Sequence, residues 1–318
     1  MLNLQQTGRL FLASLALTAS VFLSSCKKDE PVATNTVTDV VLKDPQFTYL
    51  RAAVVKAGLS DALRTGTLTV FAPTDDAFKA SGFPTIASVE ALPAATLAAV
   101  LQYHVLNTKV LSTAIAVGNN QPVTTLNAAA GPLYITKTST GISVNGKNVT
   151  TADVAVDNGV IHVINGVLMP PAGSVVDLVT TGTQAPNFTL LTAAVLRAGL
   201  ATGLASTTGV TIFAPTDAAF AAENITLATI NNTLTPAQLT RILQYHIVPT
   251  RAFSTNLTDN ATLPTLLTGG LLRTNVSGTG VTVTGNGNGT RTSRVVTPNI
   301  LTTNGVVHVI DRLLLPPP

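Results

Sequence analysis

The chain has no tryptophan, one cysteine and few charges, which make up 10% of its residues where globular proteins carry about 25%. A lone cysteine, Cys26, excludes an intrachain disulfide, so any folded part is held by packing alone. Without tryptophan, and with only four tyrosines, broad aromatic platforms for stacking sugars are missing. No lysine or arginine run is present to follow phosphates; the one adjacent basic pair, Lys27-Lys28, sits beside Asp29-Glu30. Of 18 basic side chains only Arg9 falls within residues 1–25, so the rest stand nearly balanced against 15 acidic ones, and no nucleic-acid partner is expected. There is no His-Glu-x-x-His run, no Gly-x-Ser-x-Gly elbow and no phosphate-binding glycine loop, so no catalytic, cofactor or metal site is expected.

What is present is apolar. Hydrophobic residues reach 46%, enough to offset chain entropy, so disorder is not expected. A length of 318 residues suits two domains.

Arg9 precedes the apolar run from Leu10 to Leu23, which has the length of a signal-peptide core and falls short of the about 20 residues that span a bilayer. It ends in Leu23-Ser24-Ser25-Cys26, which resembles a bacterial lipobox, with cleavage before Cys26 and a lipid on its sulfur. Residues 1–25 are thus expected to be a lipoprotein signal peptide and residues 26–35 a lipid-anchored linker. Two or three acyl chains at Cys26 would hold the protein in a leaflet of the cell envelope, expected to be the outer membrane. Lys27-Lys28-Asp29-Glu30 resembles a signal that sends some lipoproteins to the cell surface, and reads equally well as the start of a solvated tether.

The chain then reads twice. Phe47-Thr48-Tyr49-Leu50 returns as Phe188-Thr189-Leu190-Leu191, and Phe71-Ala72-Pro73-Thr74-Asp75 as Phe213-Ala214-Pro215-Thr216-Asp217. Leu101-Gln102-Tyr103-His104 returns as Leu243-Gln244-Tyr245-His246, and Asn158-Gly159-Val160-Ile161-His162 as Asn304-Gly305-Val306-Val307-His308. A period of about 140 residues is a duplicated domain, since solenoid repeats run to about 20–50. The copies are expected at 36–172 and 173–318, meeting near Pro170-Pro171-Ala172-Gly173. Each holds its own apolar helix and strand faces and is expected to fold independently.

Within a copy, Phe47, Leu50, Val54 and Ala57 recur at helical spacing, with Gly58 as a stop. Thr69–Phe71 reads as a buried strand interrupted by Pro73, and Thr74 or Asp75 as the N-cap of a helix that buries Phe78. Leu97, Val100, Leu101 and His104 share a face of a second helix after Pro93. Later come short β-branched runs, Leu133–Thr136, Ile142–Val144, Val149–Thr151 and Val160–Ile164, with a two-residue hairpin signal at Asn145-Gly146. Gly285-Asn286-Gly287-Asn288-Gly289, between Val281-Val283 and Val295-Val296, reads as a flexible hairpin loop. Helices early and an antiparallel sheet late make each copy α+β.

Three motifs in order, occurring twice, carry a resemblance. A strand ending in Phe-Ala-Pro-Thr-Asp, then Tyr-His, then Asn-Gly-Val-x-His-Val-Ile before a double proline resembles the fasciclin domain family over residues 36–318. The resemblance implies a β-wedge or sandwich with helices packed on it, twice in tandem. It also implies a role in adhesion and protein-surface binding, with a partner in another protein or the extracellular matrix. Animal members bind integrins through the Tyr-His region and an Asp-Ile pair. Here that pair is Asp153-Val154 in the first copy and Asn299-Ile300 in the second, so one acid is lost and the integrin role is not expected to carry over. Some members carry carotenoids, which is the alternative use; a mean hydropathy of +0.41 suits an apolar pocket and a packed core equally.

All four histidines, His104, His162, His246 and His308, fall at repeated positions. They invite a metal or acid–base reading, but two per copy is short of the three protein ligands of a catalytic zinc. The favoured reading is structural and hydrogen-bonded, as it is for Tyr103 and Tyr245. Asp75 and Asp217 each follow Pro-Thr at a helix start, and capping accounts for them.

Overall fold

The computed structural model describes residues 35–181 and 188–318. Cys26, the expected signal peptide and all but the last linker residue lie outside the described residues.

The first copy has helices α1 (Val37–Lys43), α2 (Thr48–Lys56), α3 (Asp75–Ala80), α4 (Ile86–Glu90) and α5 (Ala94–Tyr103). Its strands are β1 (Leu68–Pro73), β2 (Val105–Leu106), β3 (Gly118–Val123), β4 (Leu133–Thr138), β5 (Gly141–Val144), β6 (Lys147–Val156) and β7 (Gly159–Ile164). The second copy repeats the plan with α6 (Val175–Thr181), α7 (Thr189–Arg197), α8 (Ala201–Ser206), α9 (Asp217–Ala221), α10 (Leu227–Asn232) and α11 (Pro236–Tyr245). Its strands are β8 (Val210–Pro215), β9 (Ile247–Val248), β10 (Thr262–Pro264), β11 (Leu271–Ser277), β12 (Gly280–Gly285), β13 (Ser293–Leu301) and β14 (Gly305–Ile310). The sheets have the same order, β2-β1-β7-β6-β5-β4-β3 and β9-β8-β14-β13-β12-β11-β10.

Local chemistry explains most elements. The α2 helix stops where Gly58 turns to φ +68°, and the Leu59 N–H closes back on Val54 O at 3.1 Å. The Asn145-Gly146 turn has both residues at positive φ, 47° and 73°, the two-residue geometry that matches strand twist.

Two expectations are corrected. The sheet is not wholly antiparallel: β1 runs parallel to β7, and β8 parallel to β14. Both early strands are buried along their whole length, and such a run gives no local sign of its neighbours. Nor does Pro73 interrupt β1. It is the last paired residue, opposite Ile164, and the next donor, Thr74 N–H, reaches Ile164 O at 3.4 Å. Proline at a strand end forfeits no interior ladder bond.

Apolar residues collect on both faces of each sheet. Helices of the first copy place Phe47, Leu50, Val54 and Leu97 against Ile161 and Val163; those of the second place Phe188, Leu191, Val195 and Leu239 against Val307 and Val309. The opposite faces hold Phe71, Tyr103, Leu133 and Ile164 in one copy, and Phe213, Tyr245, Leu272 and Ile310 in the other. The cluster of the first copy also takes in Phe253, Leu301 and Val306 of the second. The helix-side clusters are separate for each copy, while the opposite face of the first copy is completed by residues of the second.

Candidate functional site

Each repeated histidine bridges two backbone segments. His104 is buried at the C-cap of α5, one residue past the helix face on which it was expected. Its Nδ1–H donates to Val100 O at 2.8 Å, while Nε2 accepts Leu168 N–H at 2.9 Å. His246 does the same between Ile242 O and Leu314 N–H. Because Nε2 accepts from a backbone N–H, both rings are neutral. His162 donates from Nε2 to Val110 O and accepts Asp153 N–H at Nδ1; His308 donates to Ala252 O and accepts Asn299 N–H. Burial lowers His104, His246 and His308 to about 4 each, in each case against one backbone hydrogen bond that raises them. With both ring nitrogens occupied, none is free to take a metal ion. Among the described residues, no group of three or more His, Cys, Asp or Glu is placed to hold one.

The tyrosines are spent in the same way. Tyr103 OH donates to Pro132 O at 2.9 Å and accepts from Asn145 Nδ2 at 3.3 Å, and burial pushes the phenol up to about 12. Tyr245 OH donates to Leu271 O and accepts from Asn286 N–H.

Asp75 and Asp217 are caps, but not of their own helices. Thr74 and Thr216 cap α3 and α9, accepting from Ala77 and Ala219 N–H at 3.2 Å. Asp75 instead accepts Tyr49 N–H at 2.9 Å, and Asp217 accepts Leu190 N–H at 2.8 Å, at the starts of α2 and α7. Those helices follow Phe47 and Phe188, which have no side-chain oxygen to offer, so the acceptor comes from another element.

Asp153 and Asn299 occupy a bulge in β6 and β13 with φ of 60° and 66°. The Asp153 carboxylate accepts Ser112 N–H at 2.8 Å and also the Ser112 hydroxyl. Its desolvation would raise the pKa, but these bonds, with His162 and Lys137, hold it below the usual carboxylate range. Asn299 accepts Ser254 N–H in the equivalent way. Its amide also donates, to Ser254 Oγ and, across the copies, to Gly146 O at 3.1 Å. An aspartate there would have no such proton. Val154 and Ile300 pack, half-buried, against the helix-side clusters.

Reasoning from motifs missed the junction between the copies. Arg251 lies 4.1 Å over the Tyr134 ring and accepts from Asn120 Nδ2 at its carbonyl, at 2.6 Å. Asn256 Nδ2 donates to Thr136 Oγ1 at 3.0 Å, and Ser143 and Thr255 hydroxyls pair at 3.0 Å. The available signal was where the second copy departs from the first: Arg251, Phe253 and Asn256 replace Lys109, Leu111 and Ala114.

The glycine-rich loop is a correction. It connects β12 to β13 as expected, but it is pinned rather than slack. Gly287 N–H donates to Leu315 O, and the buried Asn288 amide bonds Leu313 O and Leu315 N–H at 2.8 Å each. An apolar cavity in the second copy, lined by Val175, Val195, Leu243 and His246, measures about 20 Å³. That is room for about one water and none for a long pigment. No helix among the described residues is long and apolar enough to cross a membrane.

Two α+β copies with one strand order and one set of histidine bridges define a duplicated sheet-and-helix domain. The fasciclin domain family model matches residues 45–170 and 186–316, and the chain belongs to that family. It is similar to transforming growth factor-beta-induced protein ig-h3 of Sus scrofa, 39% identical over 140 residues, which are 43% of this chain and 20% of that protein. Protein sll1483 of Synechocystis is 38% identical over 140 residues, 43% of this chain and 74% of its own length. Human periostin is 29% identical over 253 residues, 79% of this chain and 28% of that protein. A solved fasciclin domain pair from the insect cell adhesion molecule fasciclin I covers 84% of this chain and 95% of its own, at 20% identity and a TM-score of 0.39.

Proposed function

We propose that the chain is a non-enzymatic binding and adhesion protein, held in the outer membrane by a lipid on Cys26 and working through contacts with another protein or matrix. Fasciclin domains are associated with cell adhesion and matrix interaction in homologues. One observation supports the reading above others. The repeated histidines, tyrosines and aspartates, the residues best suited to chemistry, are committed to hydrogen bonds that tie the fold together. What is left to meet a partner is the outer surface of two joined copies.

The test compares cells carrying the wild-type chain and Cys26→Ser. Wild-type cells should attach to surfaces coated with a binding partner or matrix proteins and lose the chain to external protease. The Cys26→Ser protein should appear in the soluble fraction or as uncleaved precursor, with attachment lost. Full processing and membrane recovery of Cys26→Ser would refute the lipid anchor; attachment unchanged on deletion of the whole chain would refute adhesion.

A further inference from the structure

A groove of about 600 Å³ runs along the junction, between the Val167–Pro170 segment of the first copy and Val296–Leu301 of β13 in the second. Its volume lies within the about 300–1,000 Å³ typical of ligand sites. The groove is open and mixed in character, with Met169 40% and Val296 48% exposed beside polar Ser81, Asn145 and Thr297. Lys147 also lines it, its stem laid across Gly166, where an added Cβ would stand 2.6 Å from the lysine Cδ. Among the described residues, no carboxylate forms an ion pair with Lys147 and no hydrogen bond to its ammonium is present. Burial lowers its pKa, as expected of a cation with too little water and no anion. Past Ser293 and Arg294, where its pairing with β12 ends, β13 has only β14 beside it, and Pro298 and the bulge at Asn299 interrupt that edge.

A desolvated cation beside exposed apolar side chains is complementary to a carboxylate with apolar neighbours. We propose that the groove binds an acidic segment of a partner protein, its carboxylate on Lys147 and its flanking apolar side chains on Met169 and Val296. This rests on the reading of the chain as a protein-binding module and gives that partner a chemistry.

Panning random heptapeptides displayed on phage against the full chain tests it. Enriched peptides should share an Asp or Glu between apolar residues. A synthetic peptide of that consensus should bind Lys147→Met about tenfold or more weakly, the scale of a lost charge-assisted bond. Lys147→Met keeps the stem on Gly166 and removes an unpaired cation, so its thermal unfolding should match or exceed wild type. Met169→Glu should weaken the same peptide by repulsion. Peptides without an acid, or binding wild type and Lys147→Met equally, overturn the groove while leaving a protein-binding role intact. Failure of any peptide to enrich overturns the groove, and joined to loss of cell attachment to every protein surface it overturns both readings. Binding of palmitate to wild type and not to Lys147→Met, without peptide enrichment, overturns the peptide in favour of a lipid carboxylate.

Discussion

The loop after the helix-capping histidine differs between the copies in the residues that face outward. In the second copy Arg251, Phe253 and Asn256 are turned into the junction, and Phe253 is 1% exposed. In the first, Lys109, Leu111 and Ala114 stand at the same places facing solvent, and Leu111 is 41% exposed. The bulge residue follows suit. Asp153 uses its acid only within its own copy, whereas Asn299 supplies the proton that reaches Gly146.

A duplicated domain has therefore become a pair with unequal ends. The outer sheet of the second copy differs from the face that the first copy offers at the junction. The matching bonds from Tyr103 OH to Pro132 and from Tyr245 OH to Leu271 place Arg273 where the first copy has Tyr134. A third copy docked in the same manner would bring Arg273 toward Lys109, cation on cation, and would meet the longer β12–β13 connection in place of the Asn145-Gly146 turn. Like-charge contact at an interface is costly.

What the copies share should produce the largest effect. His104, His246 and His308 are folded at about 4, below the about 6.5 of an unfolded histidine. A depressed pKa means that the unfolded chain takes up protons first. Their contribution is fully present above pH of about 6.5 and is lost as pH falls toward about 4, at up to about 1.4 kcal/mol per pH unit for each histidine. Urea midpoints between pH 7 and 5 should fall accordingly, and His104→Gln should remove one histidine's share of the slope. A flat profile would contradict the buried neutral rings.

The junction is where the copies should part. Phe253→Ala empties a fully buried site and should cost about 3–5 kcal/mol, uncoupling unfolding into two transitions. Leu111→Ala, its counterpart, should cost less than about 1 kcal/mol. Equal effects in calorimetry would mean that Phe253 serves only its own copy.

Asn299→Asp makes the second copy resemble the first at the bulge and should cost about 1–3 kcal/mol, because Gly146 O loses its donor and faces a carboxylate. Asp153→Asn should be milder, since no residue of the other copy is bonded to it in the structure. Reversal of that order in denaturant unfolding would sink the comparison. Gly146 itself leaves little room: a Cβ there would lie 2.5 Å from Asn299 Nδ2.

The smallest differences belong to the caps. Asp75→Ala and Asp217→Ala should each cost about 0.5–2 kcal/mol, and by the same amount in both copies, as they cap α2 and α7 alike. Hydrogen exchange should rise at Tyr49 and Leu190 rather than at Ala77 and Ala219. Protection lost at Ala77 would return Asp75 to its own helix.

The duplication, the α+β class, the Gly58 stop, the α5 helix after Pro93 and the Asn145-Gly146 hairpin were legible from residues alone. Each is encoded by neighbours: a helix bond spans four residues, a hairpin turn two, and a repeated motif declares itself by repetition. The apolar company of His104 and His246 was legible too. Their partners were not. Leu168 lies far along the chain from His104, and Tyr49 far from Asp75, so each pairing depends on how the sheet is ordered. That order, with β1 slipped in parallel beside β7, follows from burial on both faces, which carries no period and names no neighbour. The junction was decided at the same level. Phe253 reads as an apolar residue in a loop, and only the packed copies show that it completes a core begun about a hundred residues earlier, because contact energy depends on distance in space and a sequence orders residues only along the chain.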